Sequence, residues 1–335
     1  MTIVTNTAVT YSVGAGGGNR EDLEDVIYDL FPEDTWALSN LDKVSASATF
    51  HEWLGDKPEA AGSNITIEGD DVTFASIISP ARYGNYTQIY NKVFLVSGTQ
   101  ETVSKAGRKS ESKRQAMRKI RELKRDVEWS LTRNSAGTAG SSSVGRSSAG
   151  MEAWIGATTP SATVATLVVF TTAAASGVYT ETASGAPVAP TDTAVGSTAA
   201  FTEAALKLAL EGAWNQGGET DVILMTPTNK NALNSFSGIA TRNVDVGKGD
   251  QAVITGAADV YVSSFGVHKV IQHRYMRNQS VLCLDSSLWA IATLRPFSTQ
   301  KLAKTGDAEK TLIQTELCLV ARNWRGNSQV VGMGA

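Results

Sequence analysis

Residues 105–133 read KAGRKSESKRQAMRKIRELKRDVEWSLTR, and eleven Lys or Arg against four Asp or Glu give this stretch a net charge of +7. With −3 over the whole chain, the other 306 residues sum to −10. Ala116, Ile120, Leu123, Val127 and Leu131 recur at steps of four and three, the spacing of an apolar stripe on one side of a helix about 20 residues long. The other faces are Arg and Lys. A helix that buries one stripe and offers this much cation needs something acidic beside it: other protein chains, nucleic acid, or the acidic remainder of its own assembly.

At 335 residues the chain is long enough for more than one core. Its 42% hydrophobic and 19% charged content is ordinary for a globular protein, while 30 Gly among Ala, Ser and Thr tracts predict many turns and β segments. No apolar run approaches the roughly 20 residues of a membrane span. The first 18 residues place no cationic region ahead of an apolar one, so the reading expects no secretory signal and a protein made and kept in a cytoplasm. Cys283 and Cys318 sit in apolar runs, SVLCLD and TELCLV, which predicts buried reduced thiols.

Outward from the basic helix the chain is uneven. Residues 1–18 are polar and end in GAGGG, as a flexible arm would, and a short helix is expected after Asn19, stopping at Pro32. KVSASATFHEWL (43–54) and YTQIYNKVFLVSGT (86–99) read as two strands joined by some 30 residues rich in Gly, Asp, Asn and Pro. Two strands with so long a polar connection describe an arm that finds its stability on something else. Residues 134–150 read as a linker, and from Gly156 to Ala200 only Glu181 and Asp192 are charged, with one core strand expected at Val164–Thr171. AFTEAALKLALEGAW predicts a helix capped by Thr202 and ended by Gly217; DVILMTP is a buried strand, with a helix at Asn229–Phe236 after it. From Val253 to Val331 strands dominate. Helices early and strands late, without regular βαβ alternation, make the fold class α+β.

The parts of an enzyme do not assemble. His51, His268 and His273 have neither the spacing of a helical metal site nor a Cys nearby. GAGGG lacks the ending of a phosphate loop, KTGDAEKT (304–311) reads as a turn between strands, and Arg322 and Arg325 beside Trp324 read as a strand surface.

Six motifs carry a family likeness: TWALSNLDK (35–43), ISPARYGNYTQIY (78–90), AFTEAALKLALEGAW (200–214), ATRNVDV (240–246), ADVYVSSFG (258–266) and LRPFSTQKLAKTGDAEK (294–310). In this order the chain, from Asp34 onward, resembles the major capsid proteins of tailed bacteriophages. That resemblance implies the α+β Hong Kong 97-type capsid fold. It would have an N-terminal arm at 1–43, an extended two-stranded loop at 44–99, a peripheral domain from 100–216 and 296–335 with a spine helix at 110–134, and an axial domain at 217–295. It implies a structural subunit with no cofactor, assembling with itself into hexamers and pentamers of an icosahedral head. Its other partners would be neighbouring capsomers, a portal, scaffold or cement proteins, and packaged double-stranded DNA held non-specifically at the inner surface; no membrane is involved. The location implied is the virion, assembled in the host cytoplasm. Assembly contacts would fall to Arg108, Lys109, Lys113, Arg114, Arg118, Lys119, Arg121, Lys124 and Arg125. The basic helix taken alone also permits a non-enzymatic DNA-binding structural protein, against which stand the net charge of −3 and the lack of an aromatic, basic groove. A hydrolase with an unrecognised site is the third reading.

Overall fold

The computed structural model of the chain describes residues 35–56, 61–71, 74, 80–105, 107–156, 162–164, 167–171, 200–236 and 259–333. The helix expected after Asn19, the ATRNVDV segment and most of the weakly charged stretch 156–200 lie outside the described residues. In chain order, a short helix α1 (Trp36–Asn40) precedes β1 (Asp42–Ser45), β2 (Phe50–Gly55), β3 (Ala81–Tyr86) and β4 (Gln88–Ser97). Next come α2 (Gly98–Thr102), the long α3 (Glu111–Thr132), α4 (Met151–Gly156), β5 (Ala162–Val164), β6 (Leu167–Thr171) and α5 (Glu203–Asn215). β7 (Val222–Met225), α6 (Pro227–Asn234), β8 (Val260–Ser263), β9 (Gly266–Gln272) and β10 (Ser280–Leu284) follow, and β11 (Trp289–Lys301), β12 (Ala308–Ala321) and β13 (Ser328–Val331) complete the order.

The basic stretch forms the helix its periodicity predicts. Ser110 caps α3, its hydroxyl accepting from the Lys113 amide at 3.3 Å. The Glu101 carboxylate of α2 adds a second cap, accepting from the amides of Glu111 (3.0 Å) and Ser112 (3.2 Å). Leu123, Val127 and Leu131 are buried, and Ala116 and Ile120 pack half-buried against the same core.

Three sheets result: β1-β11-β12-β4, then β5-β6-β13-β10-β7-β9-β8, and the pair β2-β3. β7 runs parallel to β9 and β1 parallel to β11, while the other pairings are antiparallel. α3 covers one face of the four-stranded sheet, its stripe meeting Tyr90, Phe94, Ile313 and Leu317. The central strands β7, β10 and β13 of the seven-stranded sheet are buried on both faces. Along β10, Val281 and Cys283 face α5 while Leu282 and Leu284 face the core that also holds Trp154 and Trp289, which is why SVLCL reads as an unbroken apolar run. Both cysteines are buried free thiols.

Three sequence expectations are corrected. Residues 43–54 are two strands, β1 lying beside β11 while β2 pairs with β3. Likewise β4 joins β12 in the main sheet, and the arm's second strand is β3. Thr87 causes both breaks: its amide donates to the Thr49 carbonyl at 2.8 Å and its hydroxyl to Glu316 at 2.8 Å, fixing a corner where the chain passes from arm to body. α6 begins two residues earlier than expected, because Pro227 takes the first helical turn, where its missing N–H costs nothing. The capping Thr202 and the terminating Gly217, at φ +80°, are as predicted. Gly218 has a different reason to be glycine, since a Cβ there would lie 1.8 Å from the Gly326 carbonyl oxygen.

Candidate assembly surface

Three features reach outward from this body: the basic face of α3, the β2-β3 arm, and the uncovered face of β4. The arm is fixed at its root. Asn85 is fully buried, its side-chain amide donating to the carbonyls of Leu319 (2.7 Å) and Ala149 (3.1 Å) and its Oδ1 accepting from the Ala149 amide at 2.9 Å. Trp53 of β2 packs at 5.4 Å and a 43° tilt against Trp154, which packs at 5.4 Å and a 46° tilt against Trp324, and Tyr83 of β3 meets Trp324 edge-on at 4.6 Å. Beyond this cluster the arm turns polar and exposed through residues 61–71, where Asp70 N donates back to the Ile67 carbonyl at 3.1 Å around Gly69, whose φ is +84°.

A second polar anchor lies beneath the corner. The Glu316 carboxylate, buried on β12, accepts from Thr87, from Arg146 and from Arg295 Nε at 2.8 Å. Burial alone would raise its carboxyl, but the Thr87 hydroxyl and the two guanidinium groups together hold it below the usual carboxylate range.

The nine cations proposed from the sequence separate into groups. Arg108 and Arg114 converge on Glu111, the latter at 3.1 Å. Arg118 (3.0 Å) and Lys119 (2.6 Å) converge on Glu122, whose carboxyl burial would raise but these two partners lower. Arg125 borders a groove of about 790 Å³ between α3 and β4, with Trp129, Tyr275 and the Lys92–Asp126 pair (2.5 Å) alongside. Lys109, Lys113 and Arg121 are exposed and Lys124 is half-buried. Part of the helix charge is therefore balanced within the chain, while Lys109 and Lys113 stand exposed.

Sequence reading missed Glu128. It lies within the apolar sector of α3, between Val127 and Leu131, with no solvent exposure. Its carboxylate accepts from the amides of Ala37 (2.7 Å) and Leu38 (2.9 Å) on α1, and meets His273 Nε2 at 2.8 Å. An acid inside the stripe was the available signal. His268 is also held internally, by the Ser263 hydroxyl at 2.6 Å and the Thr220 carbonyl at 2.7 Å.

The uncovered face of β4 was also missed. Ile89, Val93 and Leu95 alternate with buried Tyr90, Phe94 and Val96, so the strand is apolar on both faces while only one is packed.

Comparison with known proteins places these features in context. The family model described as SU10 major capsid protein matches residues 3–332. The major capsid protein of Escherichia phage Phieco32 is 28% identical over 315 residues, 88% of each chain. Among solved structures, the capsid asymmetric unit of Cyanophage A-1(L) matches with a TM-score of 0.66 at 15% identity, over 96% of this chain and 99% of that one. The capsid of the native GTA particle matches at 0.62 and 13% identity, over 98% and 100%. Likeness at such low identity speaks for the fold, the α+β Hong Kong 97 type that the sequence motifs implied.

Proposed function

This chain belongs to the SU10 major capsid protein family, whose members build the shells of phage particles, and from that premise we propose that its copies hold one another through the β2-β3 arm and the basic face of α3. One observation carries the reading: the arm is anchored by buried side chains at its root, yet beyond it residues 61–71 are exposed throughout. A segment of that length with no core of its own is stabilised by a neighbouring surface.

In this reading the copies form hexamers and pentamers of an icosahedral head. Residues 44–99 serve as the extended loop, 110–134 as the spine, 217–295 as the axial domain, and 100–216 with 296–335 as the peripheral domain. Arg108, Lys109, Lys113, Arg114, Arg118, Lys119, Arg121, Lys124 and Arg125 serve inter-subunit contacts and non-specific attraction to packaged double-stranded DNA. Exposed ion pairs contribute only about 0.2–1 kcal/mol each, so several act together with apolar burial. A portal and scaffold or cement proteins would complete the head, assembled in the host cytoplasm, and the subunit's role is structural, without turnover of a substrate. Deleting Pro58–Ser79 tests this: the expected product is a soluble, folded subunit that forms no stable shells by electron microscopy. Normal shells of undiminished heat resistance would overturn the assignment of the arm.

A further inference from the structure

Four arginines of α3, Arg114, Arg118, Arg121 and Arg125, follow one another at steps of four, three and four, which aligns them in a single stripe along the helix. Met117 and Trp129, 62% and 45% exposed, flank that stripe. Acids of the helix itself meet two of its members, Glu111 pairing with Arg114 and Glu122 with Arg118. The next step of three reaches Glu128, which accepts from the amides of Ala37 and Leu38, so α1 begins where the arginine stripe ends.

Chain continuity then says what can reach those arginines. Just before α1 in sequence, EDLEDVIYDLFPED (21–34) holds seven Asp or Glu and no Lys or Arg, and Leu23, Val26, Ile27 and Leu30 recur at helical spacing. Its fourteen residues equal in number the fourteen from Arg114 to Glu128, so at helical rise it spans the stripe, about 21 Å. We infer that residues 21–34 dock on the arginine stripe of α3 in their own chain, with their acids facing Arg118, Arg121 and Arg125 and their apolar side chains against Met117 and the arginine stems. The anchored α1 holds the end of the segment beside the stripe, and a tether this short gives an effective concentration on the order of millimolar. Leu302 between Lys301 and Lys304, and Leu95 opposite Lys310, also set apolar side chains beside cations, but at the far end of β11 and β12 from the pairing with β1. The acid that the basic helix calls for is thus supplied in part by its own polypeptide, whatever role the shell gives the remaining cations.

Both native cysteines are buried, so an engineered pair can report the contact. The full chain carrying Leu23→Cys/Met117→Cys, treated with a short bismaleimide, is expected to give a cross-link within one polypeptide, seen by intact mass as a monomer carrying one doubly reacted linker. Covalent dimers in place of that monomer would put the segment on a second copy, and reaction of both thiols without any cross-link would leave it off the stripe; either result overturns the inference. Should the cysteine pair disturb folding, protection from a glutamate-specific protease decides. Cleavage after Glu24 in the purified chain at low salt should be about tenfold faster in Arg118→Glu/Arg121→Glu/Arg125→Glu, and adding Asp22→Arg/Asp25→Arg/Asp29→Arg to that variant should slow it again. Equal cleavage in all three chains would overturn the docking, while absence of shells from the unmodified protein would count only against the function proposed above.

Discussion

Glu128 and His273 meet at 2.8 Å with no solvent exposure on either side chain, joining the middle of the polypeptide to the end of β9. The same carboxylate accepts from two amides of α1, so one buried acid fixes three elements. Removing it strands two amide donors and an imidazole away from water. Glu128→Ala should therefore lower stability by about 3–5 kcal/mol, the cost of leaving the partners of a buried charge unpaired. Denaturant melts followed by tryptophan fluorescence would measure it, with cleavage near Trp36 in limited proteolysis showing that α1 has detached.

Glu316 makes the corner beneath the arm sensitive to acid. Its carboxyl sits below the usual range, so it contributes stability above its unfolded value near 4.3, and that contribution is lost as the pH falls through the folded value. Glu316→Gln should flatten the fall in melting temperature between about pH 5 and 3 compared with the unmodified chain. Parallel melts across that range would show the difference, and identical profiles would remove Glu316 as the cause.

The two sides of α3 should respond differently to substitution. Ile120 packs against the core, so Ile120→Asp places a carboxylate there and should cost about 3 kcal/mol, giving poorly soluble protein. Replacing Arg118, Lys119 and Arg125 with Gln should change stability by no more than about 0.5 kcal/mol each. Association of subunits should weaken instead, most visibly at low salt, where the lost attractions were least screened. Circular dichroism melts beside sedimentation of particles separate the outcomes; equal unfolding by both variants would make the cations structural.

Burial pushes the thiols of Cys283 and Cys318 up to about 12. At pH 8 neither should react with iodoacetamide in the folded protein, and both should react in denaturant. Mass spectrometry of the alkylated chain would count the labels, and rapid native labelling of either would contradict its placement in the core.

The helix α3, the capped α5 and the strands after residue 259 were legible because each owes its form to local signals: apolar spacing, Thr202, Gly217 and β-branched runs. The arm was legible only as a composition. Which strands form it depends on Thr87 reaching Thr49 and Glu316, contacts 38 and 229 residues away in sequence that no local pattern encodes. Likewise the charge of the basic helix was plain, but its partial neutralisation by Glu111 and Glu122 depends on rotamers, and the partners of Glu128 depend on α1 lying over it from 90 residues away.

The way the arm is spliced into the four-stranded sheet has a mechanical consequence. Its two ends continue into β1 and β4, which lie lengthwise against β11 and β12 over four and ten residue pairs. Tension on the arm would therefore be handed to both edge strands of the four-stranded sheet at once, and each edge is tied to its inner neighbour by its own ladder. A pull on the outer loop is thus divided between two separate seams of the body.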